Sequence, residues 1–333
     1  MGRVNNSNTF LDYSYYFSIS WVSNIKIKVK NVIYLKFQRI IVPCLWSRAI
    51  RTISSKIFKE KKIKKFEVWD DKQKKLFKNK RSKNLNKTMN NVDFIVLSPG
   101  ISFIEKKNLI KFKKKIITDI DFLFLTNKNF KSIVVTGTNG KSTTCKLINH
   151  LLKNNKFKVL IGGNIGTPIL DLKIKKNSYV VIEASSFQLS HSKFIRPDYA
   201  ILLNITNDHL DWHGNMSNYI NSKLKIFALQ KKNQFLLVNK KLKKIVKKRD
   251  FISRLVFPKE KNYKKIKYKV KNHYLKLSIN DENMSFVYAF SKLLKISNKN
   301  FIAAINSFIG LSHRYEVFLK RKNIIFINDS KAT

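Results

Sequence analysis

Residues 133–144 read IVVTGTNGKSTT, and this stretch decides the fold. Its apolar start predicts a buried strand, its glycines predict a turn, and apolar residues at helical spacing up to residue 152 predict a helix. Glycines let backbone N–H groups converge on an anion, and the start of a helix adds partial positive charge. In such a cradle Lys141 reaches the terminal phosphates and Ser142 binds Mg²⁺. We therefore predict a nucleotide-phosphate site rather than an ordinary strand-to-helix turn.

The composition limits the classes of protein that the chain can belong to. It has 333 residues and 44% hydrophobic content, enough for two domains, and 68 Lys and Arg against 20 Asp and Glu. Lysine runs such as 61–65 and 111–115 attract polyanions, but arginine is scarce and we find no aromatic–arginine motif of an RNA-binding module. We therefore predict no nucleic-acid partner.

Cysteine usage and the first residues bear on location. Cys44 and Cys145 are the two cysteines of the sequence, which excludes a disulfide framework and a cysteine-based metal site and fits a reducing cytoplasm. Residues 10–22 are rich in aromatic side chains, but the stretch is short and is interrupted by Asp12 and several serines. We predict neither a signal peptide nor membrane insertion.

From residue 131 onward, predicted strands alternate with helical patterns. The candidate strands are 133–136, 158–161, 179–183, 199–204 and 235–239. This alternation indicates a parallel sheet with helices on its faces, in which ligands lie beyond the carboxyl ends of the strands. The unusual residues at those ends are the loop from Gly137, Asn164 after two glycines, Glu183, Asn204 and Asn239. We expect them to converge at one edge.

The flanking regions carry weaker patterns. Residues 66–70 predict a strand that ends at Asp70, which either receives a ribose or base donor or is a turn residue, and residues 93–97 predict a strand before a Ser-Pro-Gly turn. Short patterns at 254–257, 266–270 and 274–279 predict a small antiparallel sheet with a turn at 271–272. Residues 283–294 and 300–308 predict two helices, and 324–327 an apolar strand.

Four clusters after the phosphate loop carry further chemistry. Glu183 follows a buried strand, where a Mg²⁺-binding carboxylate sits near such a loop. The loop 204–211 contains His209 between acidic residues, Lys223 lies on the next predicted helix, and Arg314 offers a cation for phosphates. Each of these residues alone is more often structural than functional, so the interpretation rests on their combination.

Together these residues resemble the Mur ligase family. The short loop 136–142, in which the first glycine is Gly137, is followed by Asp208-His209 and Lys223 in that family's order. The strings at 98–101, 185–189, 310–316 and 328–333 are most similar to the branch that joins D-glutamate to UDP-N-acetylmuramoyl-L-alanine. The resemblance covers residues 91–333 well and 66–90 weakly.

The resemblance implies an architecture. It is an α/β fold with a central P-loop-type parallel sheet domain and a small antiparallel sheet, preceded by a divergent Rossmann-like N-terminal domain. We expect residues 1–125 to bind the UDP substrate, 126–308 to bind ATP, and 309–333 to begin a C-terminal ligase domain that stops short at Thr333. The strand 324–327 would then expose apolar side chains. The protein would act as a cytoplasmic monomer.

The resemblance also implies a reaction. ATP phosphorylates the carboxylate of UDP-N-acetylmuramoyl-L-alanine, and the amine of D-glutamate attacks the acyl phosphate to form an amide of a peptidoglycan precursor. A carboxylate is a poor electrophile, and phosphorylation supplies the leaving group. Phosphoryl transfer then requires positioning and charge neutralisation rather than a protein nucleophile.

The same resemblance assigns roles to individual residues. The catalytic set is Lys141, Glu183, His209 and Lys223, and Mg²⁺ is bound by Ser142, Glu183, His209 and a carbamylated Lys223. The implied ATP-binding residues are Gly137, Thr138, Asn139, Gly140, Lys141, Ser142, Thr143, Asn283, Arg314, Asp329 and Lys331. The implied substrate-binding residues are Asp70, Ser98, Gly100, Asn164, Ser185, Ser186 and Gln188.

The sequence departs from the family pattern at two further places and leaves alternatives open. Residues 3–99 contain no glycine, although the family has a glycine-rich uridine loop there, and the family's His-Asn-x-x-Asn motif is Glu282-Asn283-Met284-Ser285-Phe286. The alternatives are another Mur or folylpolyglutamate-type ligase, a non-catalytic ATP-binding remnant, and a basic nucleic-acid-binding protein. Substrate-dependent phosphate release and salt-dependent DNA binding discriminate among them.

Overall fold

The computed structural model describes residues 31–36, 65–70, 82–127, 129–311, 316–321 and 324–330. The strands are Asn31–Lys36 (β1), Lys65–Asp70 (β2), Phe94–Leu97 (β3), Ile116–Ile117 (β4), Lys131–Thr136 (β5), Val159–Gly163 (β6), Tyr179–Glu183 (β7), Tyr199–Leu202 (β8), Phe235–Val238 (β9), Arg254–Val256 (β10), Glu316–Arg321 (β11) and Ile324–Asn328 (β12). The α-helices are Leu85–Asn91 (α1), Asp119–Thr126 (α2), Lys141–Asn154 (α3), Ser186–His191 (α4), Leu210–His213 (α5), Met216–Ala228 (α6), Lys243–Lys247 (α7), Glu260–Lys267 (α8), His273–Lys276 (α9), Asp281–Leu293 (α10) and Asn298–Asn306 (α11). Short 3-10 helices span Lys107–Phe112, Ile169–Asp171, Lys240–Leu242 and Ser278–Asn280.

A six-stranded parallel sheet forms the centre of the fold, as the alternating pattern predicts. Its strand order is β10-β9-β8-β5-β7-β6, and every pairing is parallel. The chain builds outward from β5, first to β6 and β7 and then to β8, β9 and β10 on the other side. The order therefore switches at β5, and the carboxyl end of β5 is where such a sheet holds its ligand.

Alternate residues of β5 explain why helices cover both faces of this sheet. Val134 is fully buried in a core that includes side chains of α2 and α6. Ile133 and Val135 are fully buried in a second core that includes side chains of α3, α10 and α11. Successive strand residues point to opposite faces, so a strand with three consecutive apolar residues needs a helical layer on each side.

A second, four-stranded parallel sheet is formed by the N-terminal strands in the order β2-β1-β3-β4. The strands predicted at 66–70 and 93–97 are both present in it. Ile95 and Leu97 of β3 pack in a separate core with Met89 and Phe112, whereas Val96 joins the core on the α2 side of the central sheet. A parallel N-terminal sheet agrees with the Rossmann-like expectation for this region.

The prediction of a small antiparallel sheet between residues 254 and 279 is wrong. Residues 254–256 instead form β10, which pairs in parallel with β9, and the following residues form the helices α8 and α9. The buried side chains Tyr263, Ile266 and Val270 recur at helical spacing and face the core on the α3 side. This 3.6-residue periodicity outweighs the short alternating pattern on which the strand prediction depended.

The helices predicted at 283–294 and 300–308 are present as α10 and α11, and the predicted strand 324–327 lies within β12. Strands β11 and β12 form a two-stranded antiparallel sheet. Ile324, Phe326 and Ile327 of this sheet are exposed, as the sequence predicts. Within the described ranges, every helix is too short or too polar to cross a bilayer.

Candidate active site

The turn between β5 and α3 has the conformation that a phosphate cradle requires. Gly140 has a φ of 81°, and a Cβ atom added there would lie 2.2 Å from Asn283 Oδ1 on α10. Glycine is therefore needed both for the left-handed backbone and for the close approach of Asn283. Gly140 is also the N-cap of α3, so no side chain caps the first turn of that helix. The N–H groups of an uncapped first turn suit an anion.

Asn204, two residues after β8, holds the shape of this loop. Its Oδ1 accepts hydrogen bonds from the backbone N–H groups of Thr138 at 3.1 Å and Asn139 at 2.8 Å. The Thr138 hydroxyl is hydrogen-bonded to the Tyr219 hydroxyl at 2.9 Å and accepts from the N–H of Thr206 at 3.0 Å. Groups from the neighbouring strand end and from α6 therefore fix the shape of the loop.

Two lysines, one on α3 and one on α6, donate hydrogen bonds to carbonyls of the loop. Lys141 Nζ donates to the carbonyl of Thr138 at 2.6 Å, and Lys223 Nζ on α6 donates to the carbonyl of Gly137 at 2.8 Å. Lys223 is 1% exposed, and its Nζ lies 4.5 Å from the centroid of the Tyr219 ring. Burial, assisted by the charge of Lys141 and opposed by Asp208, lowers the pKa of Lys223 to about 7. A substantial fraction of this amine is neutral at physiological pH.

Glu183 places a carboxylate at the end of β7, next to β5. Its side chain is 1% exposed, and Oε1 accepts from Asn164 Nδ2 at 2.9 Å. Within the part of the chain that the structure describes, Oε2 is buried without a hydrogen-bond partner. A buried carboxylate oxygen with no donor is costly, and a cation is the partner that satisfies it. Glu183 therefore has the properties expected of a residue that binds Mg²⁺.

His209 lies in the loop after β8 and precedes α5. It adopts a left-handed backbone with a φ of 53°, and its Nδ1 lies 3.4 Å from Asp208 Oδ1. Its ring packs against Phe187 at a centroid distance of 4.7 Å. Among the described residues, no three side chains of His, Cys, Asp or Glu are close enough to form a metal site by themselves. A cation here would take its remaining ligands from water or phosphate oxygens.

The residues after Glu183 are engaged in structural contacts. Ser185 and Gln188 form a reciprocal capping box at the start of α4: Gln188 N donates to Ser185 Oγ at 3.2 Å, and Ser185 N donates to Gln188 Oε1 at 3.1 Å. Ser186 Oγ is hydrogen-bonded to Nε2 of the buried His213 at 3.0 Å. Burial, with Lys223 and His209 nearby, lowers the pKa of His213 to about 4. The substrate-binding role of these residues stays a prediction.

Two aspartates of α2 hold both ends of α4. Asp119 accepts from Gln188 Nε2 at 3.3 Å at the start of α4. Asp121 accepts from Ser192 Oγ at 2.5 Å and from the N–H groups of Lys193 at 3.0 Å and Phe194 at 2.8 Å, directly after α4. Burial raises the pKa of both carboxyls, that of Asp119 to about 6. These contacts fix the segment that follows Glu183.

The loop after β3 meets the same region from the N-terminal sheet. Trp212 Nε1 donates to the carbonyl of Gly100 at 3.5 Å, and Ser102 Oγ donates to the carbonyl of Trp212 at 3.0 Å. His191 Nε2, at the end of α4, donates to the carbonyl of Ile101 at 2.9 Å. The turn that contains Ser98 and Gly100 is thereby held against the helix that follows His209.

Comparison with known proteins shows the family of this chain. Residues 135–308 match the sequence model of the Mur ligase middle domain. UDP-N-acetylmuramoylalanine–D-glutamate ligase of Rickettsia felis is 39% identical over 265 residues, which are 73% of this chain and 59% of that protein. The chain belongs to the Mur ligase family.

Other relatives agree with this assignment. The ligase of the same name from Buchnera aphidicola is 35% identical over 295 residues, covering 80% of this chain and 66% of that protein. UDP-N-acetylmuramate–alanine ligase MurC from Thermotoga maritima matches 90% of this chain and 74% of its own with a TM-score of 0.52 at 18% identity. UDP-N-acetylmuramate:L-alanyl-γ-D-glutamyl-meso-diaminopimelate ligase from Neisseria meningitidis has a TM-score of 0.53 at 12% identity over 85% of this chain and 99% of its own. At such identities the two structures show the Mur ligase fold, and the chain spans 59% of the length of the Rickettsia felis relative.

The structure brings most of the predicted site residues of this family member to one edge of the central sheet. There, the loop 137–143 packs against Asn283 through Gly140 and accepts a hydrogen bond from Lys223. Glu183 accepts a hydrogen bond from Asn164 at the same edge. Asp70 is the last residue of β2, and Asp329 is exposed directly after β12. Arg314 and Lys331 lie outside the described residues.

Four further residues that the sequence did not indicate lie in or beside this candidate site. Tyr219, His213, Asp119 and Asp121 are buried and hydrogen-bonded to predicted site residues or to the segments beside them. Asp119 and Asp121 follow Thr118, and the Thr-x-x-Asp spacing indicates a helix start only. The sequence carries no signal for their partners in α4 and directly after it, which are 69 to 73 residues away.

Proposed function

We propose that this Mur ligase family member activates a carboxylate with ATP and Mg²⁺ and transfers the resulting acyl phosphate to an amine. The proposed substrates are UDP-N-acetylmuramoyl-L-alanine and D-glutamate, which the names of the relatives indicate. The observation that carries the proposal is the convergence of an uncapped helix start, an unpartnered oxygen of Glu183 and the buried Lys223 at one sheet edge.

The phosphate loop supplies charge neutralisation. Lys141 donates to the Thr138 carbonyl, and exchanging this bond for a phosphate oxygen places its charge where negative charge develops. The N–H groups from Gly140 to Thr143 would hold the remaining phosphate oxygens. When bound, ATP supplies the phosphoryl group and Mg²⁺ stabilises its charge. The preformed loop lowers the reorganisation that accompanies transfer, since Asn204 already fixes it.

Mg²⁺ would be held by Ser142 and Glu183 at one position and by His209 and Lys223 at a second. An amine is not a Mg²⁺ ligand, but a lysine carbamate is, because it presents anionic oxygens. Only a neutral amine attacks CO₂, and the product loses one proton as the N–C bond forms. The pKa of Lys223 near 7 supports this modification, because burial keeps part of the amine neutral.

The muramyl substrate would bind where the N-terminal sheet meets α4 and α5. Ser98 and Gly100 lie in a turn held against Trp212, and Ser186 and Asn164 lie beside His213 and Glu183. Asp70, at the carboxyl end of β2, would contact the uridine nucleotide. We further propose that 1–125, 126–308 and 309–333 are separate domains. We propose a monomer in the cytoplasm that neither inserts into membranes nor binds nucleic acid.

The release of ADP tests this proposal. We expect the chain to release ADP from Mg-ATP only with both UDP-N-acetylmuramoyl-L-alanine and D-glutamate, and Lys141→Ala to abolish release. Lys153→Ala is the matched control, since Lys153 is an exposed lysine in the last turn of the same helix. Nucleotide-dependent thermal stabilisation that requires Lys141, without turnover, would instead support an ATP-binding protein without ligase activity. Absence of both ADP release and nucleotide-dependent stabilisation would contradict the ligase proposal and the ATP-binding alternative.

A further inference from the structure

The first turn of α10 lies directly beside the phosphate loop. Asn283 packs so closely on Gly140 that a Cβ atom there would lie 2.2 Å from its Oδ1. The preceding residue, Glu282, accepts a hydrogen bond through Oε1 from Asn204 Nδ2 at 2.9 Å. Two consecutive residues of α10 thus support the loop, one by packing and one through Asn204.

The orientation of the Asn204 amide decides whether it can support the loop. Its Oδ1 accepts from the N–H groups of Thr138 and Asn139. If the amide were rotated by 180°, its NH₂ group would face those N–H groups and both hydrogen bonds would be lost. The backbone of the loop therefore requires Oδ1 on its own side and Nδ2 on the opposite side.

Glu282 favours the required orientation. A carboxylate only accepts hydrogen bonds, so it attracts the NH₂ group of Asn204 and repels Oδ1. The other acceptor of Nδ2 is the carbonyl of Asn139, at 3.3 Å. The shorter bond to Glu282 is thus the one that distinguishes the two orientations most strongly.

We propose that Glu282 is a positioning residue of the nucleotide site, which orients Asn204 so that the phosphate loop keeps its binding shape. The inference rests on the proposed function, because it concerns how that site binds its nucleotide. Glu282 has two opposing effects on nucleotide affinity. Its hydrogen bond organises the loop, whereas its negative charge repels phosphate. Substitutions that separate these effects therefore test the role.

The test is the dissociation constant of ADP in the presence of MgCl₂, measured by calorimetry on the full chain. Glu282→Gln keeps an acceptor and removes the charge, so we expect affinity equal to or higher than that of the wild type. Glu282→Ala removes both, and loss of the hydrogen bond should weaken binding roughly tenfold. Glu260→Ala is the matched control, because Glu260 is an exposed glutamate on α8 that pairs with Lys264 at 3.3 Å.

A pair of substitutions provides the rescue. Asn204→Asp keeps an acceptor for the loop but presents a carboxylate to Glu282, so affinity should fall at least tenfold. Adding Glu282→Gln supplies an amide donor to that carboxylate and should restore most of the affinity. Thermal unfolding of each variant checks folding. A positioning role requires that adding Glu282→Gln restores the ADP affinity of Asn204→Asp. The melting temperatures of the single and double variants should not follow the same order as their affinities.

Several results would overturn the inference. Equal affinities of Glu282→Ala and Glu282→Gln would mean that the hydrogen bond has no role, and tighter binding by Glu282→Ala would mean that only charge matters. If the wild type binds ADP in a Lys141-dependent way and the Glu282 variants do not differ, the inference fails while the proposed function stands. If the wild type does not bind ADP, both fail.

Discussion

Gly140 shows at the scale of one residue how the backbone and the site depend on each other. Its φ of 81° is unfavourable for any residue with a Cβ, and the space that a Cβ would take is filled by Asn283. The same glycine leaves the first turn of α3 without a side-chain cap. Conformation, packing and anion binding therefore all require glycine at this position.

We expect Gly140→Ala to lower the free energy of unfolding by about 1–3 kcal/mol, through left-handed strain and contact with Asn283. Urea denaturation measures this change, and the affinity for ADP should fall with it. Gly100→Ala is the stability control, because its added Cβ meets nothing within 4 Å. A second substitution, Asn283→Ala, should recover the steric part of the loss. Equal stability of Gly140→Ala and the wild type would show that the loop relaxes freely.

Helix α4 shows at the scale of an element how a short helix is held by another. It has six residues, too few to be stable alone, and its start is closed by the Ser185–Gln188 capping box. Asp119 and Asp121, two residues apart on α2, bind its beginning and the backbone directly after its end. Phe187 within it then packs on His209 and Trp212. The orientation of α4 therefore positions the loop that carries His209.

The stability of the Asp119→Asn variant relative to the wild type should increase as pH rises. The pKa of Asp119 is raised by burial from 3.8 to about 6, so the folded state binds more protons than the unfolded state between these values. The contribution of Asp119 is therefore fully present below about pH 4 and lost as pH rises through 6, by up to about 3 kcal/mol. Asparagine retains an acceptor for Gln188 and does not titrate.

Unfolding free energies of the wild type and Asp119→Asn, measured from pH 4 to 7, check this expectation. Asp211→Asn is the control, since Asp211 is an exposed aspartate on α5. A constant difference between Asp119→Asn and the wild type across this range would contradict it.

At the scale of the whole molecule, the two parallel sheets are joined around α4 and α5. Ser102, Ile101 and Gly100 of the N-terminal region bind Trp212 and His191 of the central region. His191 is buried and also packs against the rings of Phe103 and Trp212, at centroid distances of 4.5 and 5.5 Å. A carbonyl only accepts, so Nε2 of His191 carries the proton in this contact.

The contribution of His191 to stability should fall as pH drops below about 6.5. Burial lowers the pKa of His191 to about 4, so the unfolded state binds more protons than the folded state between pH 6.5 and 4. The contribution of this histidine is present above pH 6.5 and lost as pH falls through 4, by up to about 3 kcal/mol. His191→Gln, which keeps a donor but does not titrate, should be less stable at pH 7 and have a smaller slope in this range.

Chemical denaturation from pH 4 to 7 measures that slope. His273→Gln is the control, because His273 is exposed on α9. The opposite effects of Asp119 and His191 partly cancel in the wild type, so the two variants should change the pH profile in opposite directions. Parallel pH profiles of His191→Gln and the wild type would show that titration of His191 does not contribute to the pH dependence of stability.

The sequence by itself determined the central sheet, the phosphate loop and the family. Apolar periodicity is local, the glycines and Lys141 lie within one turn, and strand ends of a parallel sheet meet at one edge whatever the details of packing. The strands at 266–270 and 274–279 were predicted wrongly, because apolar and polar residues alternate over 266–270, and this short period-2 pattern was weighted above the helix preference of lysine. Only packing of Tyr263, Ile266 and Val270 on the core decided for helices.

Only the tertiary structure decided which polar groups support the site. The orientation of Asn204 by Glu282 and the contacts of Asp119 and Asp121 with α4 and the residues after it arise between residues 69 to 78 positions apart. The hydrogen bond of Lys223 spans 86 positions, and its pKa depends on burial. Hydrogen bonds and desolvation depend on distance and exposure, which residue identities and spacing along the chain do not encode.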